Sequence, residues 1–195
     1  MLIGYPPIWS RGLTLTELLI VLALSTIVLV VAAPAMGQWV RDIEVRSSAS
    51  SLLATLQAAR AEAVTRNASV RLQLPDTQGR PGWQLGCTQS TARCPQLIRQ
   101  QATDLATSVR WGAAALNAMP SVDTAIAAGS GLPAGVRFDA TGAAADIVTG
   151  ADIARIDVTY NNVPSTRRIV VLISARGMAR ICDPSAGASH PTSCD

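Results

Sequence analysis

The chain contains no lysine: its sixteen basic residues are all arginine and stand against thirteen acids, a formal net charge of +3. That excess is too small to mark a nucleic-acid binder on charge alone. Histidine occurs once, as His190 in a Ser- and Pro-rich tail, so a Ser–His–Asp arrangement has no support. No Walker A, GxGxxG or paired-carboxylate pattern is present, and the sequence implies neither an enzyme nor a cofactor. Aromatics are 4% and charged residues 15%, the latter well below the roughly 25% of a soluble domain. With 49% hydrophobic residues, this points to a part of the chain that sits outside water. Disorder and a collagen repeat are excluded by composition. A polytopic membrane protein is excluded because one segment alone is apolar enough to span.

That segment is Leu18 to Ala35, eighteen residues without a charge. At about 1.5 Å per residue it covers about 27 Å, close to the hydrocarbon thickness of a bilayer. Arg11 precedes it, whereas Arg41, Asp42, Glu44 and Arg46 after it cancel, which places the N-terminus in the cytoplasm. A cleaved secretory signal is the alternative, since Ala33-Pro34-Ala35 has the small-x-small form of a cleavage site. Against it stand the length of the run and Glu17, a carboxylate in an apolar setting. Such a group is costly unless neutralised, and a disposable leader has no use for it.

Arg11-Gly12-Leu13-Thr14-Leu15-Thr16-Glu17-Leu18-Leu19 resembles the processing site of class III signal peptides, the mark of type IV pilins and pseudopilins. The resemblance implies cleavage by a prepilin peptidase between Gly12 and Leu13 and methylation of the new amine. Leu13 departs from the family's usual Phe. Glu17 lies where the family carries its acid, and Pro34 where pilin helices commonly have a proline. Physically, a helix beginning at Leu13 presents a free amine, the positive dipole end and orphan N–H groups. A neighbouring subunit's amine and Glu17 would neutralise each other and reward one stagger of the stacked helices. The competing reading is that Glu17 pairs with its own amine.

From Arg41 to Asn67 there is neither Gly nor Pro, and Ile43, Val45, Ala49, Leu52, Leu53, Leu56, Ala59, Ala63 and Val64 fall largely at three- and four-residue steps. The spacing predicts an amphipathic helix that continues the apolar one, unbroken from 13 to about 66. The stretch Leu56 to Ala63, with Arg66 and Val70, resembles the segment marking the GspH/FimT branch of pseudopilins and minor pilins.

After Asn67 the period changes to two. Strands are expected at 69–74, 83–87, 136–139, 153–160, 167–174 and 178–182, with 96–111 ambiguous and 112–135 a long loop holding at most a short strand. The expected architecture is α+β, a type IV pilin-like fold with the long helix on a mostly antiparallel sheet. Its parts would be a leader 1–12, a membrane and polymerisation half 13–40, an amphipathic half 41–66 and a periplasmic head 67–195.

Cys87, Cys94, Cys182 and Cys194 all follow the span, which puts them in an oxidising compartment. Three pairings are open to them. The sequential one is expected, because Cys87–Cys94 closes a small loop and Cys182–Cys194 pins an otherwise untethered tail. Neither spacing suits zinc, and no metal site is expected. Asp139, Asp146, Asp152 and Asp157 are scattered and read as turn chemistry and a solvated strand face.

Two function classes follow. The first is a low-abundance minor pilin or pseudopilin that helps initiate or cap a type IV pilus or a type II secretion pseudopilus. Its partners would be the prepilin peptidase, other major and minor pilins and, before assembly, the inner membrane. The disulfide-pinned C-terminus tilts this reading toward the type IV pilus. The second is DNA capture. Some FimT-like pilins carry a Gly-Arg-x-Arg motif, and Gly177-Met178-Ala179-Arg180 matches it at the Gly and the second Arg only. Arg167, Arg168, Arg176 and Arg180 lie within fourteen residues and are the candidate phosphate contacts. With the motif broken, an ordinary solvated hairpin is the favoured explanation of them.

Overall fold

A helix of 52 residues, α1 (Leu15–Arg66), opens the fold of this computed structural model, which describes residues 14–161, 166–187 and 189–194, with the backbone alone at 31–35. Thr14 caps the helix: its Oγ1 accepts the Glu17 N–H at 3.2 Å, and its carbonyl accepts the Leu18 N–H at 3.2 Å. Thr14-Leu15-Thr16-Glu17 thus has the T-x-x-E form of a capping box. The far end closes as a Schellman motif. Asn67 takes φ 50°, its N–H reaches the Val64 carbonyl at 3.1 Å, and the Ala68 N–H reaches that of Ala63 at 3.1 Å.

The chain divides into two compact units, Met1–Val40 and Arg41–Asp195. In the first, the described large apolar side chains are exposed all round the helix, from Val40 at 45% to Val30 at 76%. Among the described residues no helix is long and apolar enough to cross a membrane. The run read from the sequence includes residues 31–35, whose side chains lie outside the description.

In the second unit, Val45, Ala49, Leu52, Leu56, Ala59 and Ala63 are buried at alternating steps of four and three, one stripe of the helix. Ile43 and Val64 depart from the expected apolar face and are exposed, because the helical period turns them away from that stripe. The stripe shares one core with two four-stranded antiparallel sheets, where a single sheet was expected.

The first sheet joins β1 (Val70–Leu74), β2 (Trp83–Cys87), β3 (Arg99–Gln101) and β5 (Ala134–Phe138) in the order β3-β2-β1-β5. The second joins β4 (Val109–Ala115), β6 (Ile153–Tyr160), β7 (Ile169–Ile173) and β8 (Ala179–Cys182) in the order β4-β6-β7-β8. A 3-10 turn, Leu116–Ala118, and a four-residue helix, α2 (Asp146–Thr149), complete the unit.

The strand β4 runs across the boundary at residue 112 where the long loop was expected to begin. Its sequence, VRWGAAA, is poor in β-branched residues, yet it pairs along β6 from Val109↔Tyr160 to Ala115↔Ile153. The small residues serve a close approach of backbone. The Ala113 N–H donates to the Ser130 carbonyl at 2.8 Å and the Gly129 N–H to that of Trp111 at 2.9 Å, so residues 127–130 cover the outer edge of β4. A Cβ on Gly112 would collide with the Ala127 carbonyl.

Candidate assembly site

Of the residues expected to carry assembly, Gly12 and Leu13 lie outside the described residues. Glu17 sits in the first turn of α1, exposed, three residues past the Thr14 cap. A carboxylate there faces the positive end of the helix dipole. The helix runs unbroken through Pro34.

The four arginines do not form one free patch. Arg167 is ion-paired with Asp183, and its backbone N–H donates to Asp42 Oδ1 at 3.1 Å. Arg168 puts Nη1 2.7 Å from Asp157 Oδ2 and donates through Nη2 to the carbonyls of Val122 at 2.7 Å and Asp123 at 3.2 Å. Arg180 donates to the Cys194 carbonyl at 3.1 Å, which ties it to the C-terminal segment. Arg176 is exposed and has no partner among the described residues.

Disulfides join Cys87 to Cys94 and Cys182 to Cys194. The second holds the tail beside β8, where the Asp183 N–H also donates to the Thr192 carbonyl at 2.8 Å. Burial raises the Asp183 carboxyl. The Ser185 hydroxyl and N–H and the Arg167 guanidinium outweigh that and hold it below the usual carboxylate range. His190 is exposed, its Nδ1 accepting the Thr192 N–H at 3.3 Å. Among the described residues no group of three His, Cys, Asp or Glu is placed to hold a metal.

Two of the four scattered acids are not solvated. Asp157 is fully buried on β6 and takes Arg155 through Nε at 2.7 Å and Nη2 at 2.9 Å, Arg168 at 2.7 Å, and the Ile126 N–H at 3.0 Å. Arg155, itself 0% exposed, also reaches the carbonyls of Pro120, Ser121, Val122 and Thr124. Asp152 is also buried: its Oδ2 accepts the Arg137 N–H at 2.6 Å. Asp139 and Asp146 keep the roles expected of them near turns. The Thr141 hydroxyl, and the N–H groups of Ala143 and Thr141 with it, lower Asp139 against the opposing effect of burial. The Arg137 guanidinium, bonded at 2.6 and 2.7 Å, lowers Asp146.

The Ala-rich segment of α1 and the Gly177 turn, read as two separate signals, meet in space. Arg60 Nε donates to the Gly142 carbonyl at 3.0 Å, and its Nη1 lies 3.1 Å from Met178 Sδ. Gly177 has φ 74°, and a Cβ there would strike the Gly142 carbonyl. The glycine of the broken Gly-x-x-Arg motif is therefore required for packing the β7–β8 hairpin against the Gly142 turn, which Arg60 of α1 holds. A groove of about 470 Å³ opens beside it, lined by Gln57, Ala61, Val64 and Met178 among others.

The described architecture is α+β, a capped N-terminal helix whose second half is built into a two-sheet head, with no metal cluster among the described residues. The family model "Type II transport protein GspH" matches residues 48–177, two thirds of the chain, and the chain belongs to that family. Among solved structures it is similar to the type IV minor pilin FimU of Pseudomonas aeruginosa, at 20% identity and TM-score 0.49 over 78% of this chain and 96% of that one. It is also similar to the minor pseudopilin EpsH of the Type 2 Secretion System of Vibrio cholerae, at 11% identity and TM-score 0.49 over 73% and 99%. No curated protein matches the chain significantly.

Proposed function

We propose that the chain is a low-abundance minor pilin or pseudopilin that initiates or caps a filament of stacked N-terminal helices, in a type IV pilus rather than a secretion pseudopilus. One observation carries the reading: a head of the GspH family follows a helix whose first turn holds Glu17 and whose first unit exposes apolar side chains all round. Exposed Leu, Ile and Val in such number need a nonpolar cover, and membrane before assembly and neighbouring helices afterwards supply it. Cleavage by a prepilin peptidase between Gly12 and Leu13 would free the amine that Glu17 of a neighbour neutralises. In this reading the chain is a single-pass inner-membrane protein with its head in the periplasm, where both disulfides are stable. The tail pinned by Cys182–Cys194 supports the pilus assignment.

The test is Glu17→Ala followed in sheared-filament fractions. The wild-type chain should start at Leu13 and co-purify with filaments, whereas the variant should be processed and remain in the membrane. A mature chain starting at Met36, or normal incorporation of the variant, refutes the proposal. DNA capture has weaker support, because Arg167 and Arg168 are engaged with Asp183 and Asp157.

A further inference from the structure

A second groove, of about 340 Å³, runs where α1 passes the start of β2 and the start of β4. Glu44, Ser47 and Ser51 line it from α1 at three- and four-residue spacing, Trp83 and Trp111 from the strands, and Asp104 from the turn before β4. Both indole N–H donors are used within the head. Trp111 Nε1 donates to Ser48 Oγ at 3.1 Å and Trp83 Nε1 to Gln101 Oε1 at 3.0 Å, which fixes the rings. Asp104 Oδ1 accepts the N–H groups of Ala106 at 2.9 Å and Thr107 at 3.3 Å, while its Oδ2 has no bond among the described residues. The Glu44 carboxylate is exposed and likewise has no partner among them.

No basic side chain lines this groove, although the chain carries net positive charge. By contrast, the groove beyond the end of α1 is lined by Arg66, Arg93 and Arg137. What the walls offer is acceptors, hydroxyls and the half-buried ring of Trp83, since Trp111 is itself buried. Their complement is a flat cation with several donors. A guanidinium forks onto carboxylates and stacks on indole, whereas an ammonium does the first without the geometry.

We infer that this groove docks an arginine side chain presented by a neighbouring subunit of the filament. The partner rests on the filament reading above, but the ligand chemistry does not. The full-length ¹⁵N-labelled chain in zwitterionic micelles is titrated with acetyl-Gly-Arg-Gly-amide and, separately, with the same peptide carrying citrulline, the neutral isostere. The indole N–H signals of Trp83 and Trp111 should move saturably with the arginine peptide, with a Kd in the millimolar range, and that of Trp39 should not. Citrulline should leave them in place. Glu44→Gln should weaken binding about tenfold, the effect of losing a charge-assisted hydrogen bond, with an unchanged melting temperature because Glu44 is exposed. Absence of saturable shifts, equal binding of citrulline, or full affinity in Glu44→Gln overturns the inference. In cells, a photo-crosslinker at Ser47 should capture another filament subunit; capture of a protein outside the filament alone overturns the partner. Absence of the chain from purified filaments counts against the filament reading, whereas failure of the titration counts against the groove.

Discussion

Arg155 and Asp157 lie two residues apart on β6 and so share one face of the strand, where their side chains form a bidentate ion pair with both groups fully buried. Through its remaining N–H groups Arg155 gathers the carbonyls of residues 120–124, a segment without ladder partners of its own. The pair thus replaces a strand that the sheet does not have, and Arg168 completes it from β7's approach. Asp157→Asn leaves two guanidinium groups facing each other without a counter-charge. It should destabilise the head by about 3–5 kcal/mol, the usual cost of breaking a buried pair. Urea unfolding of the oxidised protein measures this, and a loss under about 1 kcal/mol contradicts the role given to the pair.

Gly177→Ala should destabilise by about 1–3 kcal/mol, because the new methyl group meets the Gly142 carbonyl at a left-handed backbone. Gly187→Ala is the control, with nothing within 4 Å of its Cβ, and should shift stability by less than about 0.5 kcal/mol. If the two variants melt together, the seating of the hairpin on the Gly142 turn is not what the glycine secures.

Replacing Cys182 and Cys194 by Ser should lower stability by about 2–3 kcal/mol, from the chain entropy returned to the unfolded state. Cys87 and Cys94 should behave alike over their shorter loop. Differential scanning calorimetry with and without reductant reads both effects. In the Cys182 and Cys194 variant, protease should cut first after residue 182, because hydrogen bonds such as Asp183–Thr192 and Arg180–Cys194 are then what holds the tail.

Acid should destabilise the head through four carboxylates held below their usual range. Asp139 and Asp146 are lowered chiefly by Thr141 and Arg137, while at Asp76 and Asp183 hydrogen bonds outweigh burial. A carboxyl lowered on folding contributes stability that is complete above its unfolded pKa and is lost as pH falls through the folded one. The urea midpoint should therefore be flat above about pH 5 and fall below about pH 4. The increments at Asp76, Asp139 and Asp146 should be modest, since these groups are partly exposed, whereas Asp183 is buried. A midpoint that rises between pH 5 and 3 rejects the assignment.

Arg176→Ala with Arg180→Ala should leave filament incorporation intact. DNA binding by the wild-type chain should be weak, with a log–log salt slope no steeper than about −2, because Arg167 and Arg168 are already paired with Asp183 and Asp157 and at most two of the four arginines remain for phosphate. Mobility shifts at two salt concentrations measure it. A slope near −4 would mean that Arg167 and Arg168 leave Asp183 and Asp157 to reach phosphate.

Local chemistry made part of this protein legible from its residues alone. The period of the apolar positions from Val45 to Ala63 marks a helix face because burial on one side selects every third or fourth residue. The alternation in β1 marks a half-buried strand for the corresponding reason. The helix end at Asn67 is a local signal of the same kind, readable from neighbours within five residues. The membership of β4 was not legible, since Gly and Ala there favour no strand and are selected by the backbone that lies across them. Nor was the burial of Asp157, because an acid on a strand carries no mark of whether a loop 31 residues earlier will fold over it. Arg60 resembles any solvated helix arginine until the turns holding Gly142 and Gly177, 82 and more residues away, are placed on it. Contacts of that separation depend on how both sheets close on α1, and only the tertiary structure decides them.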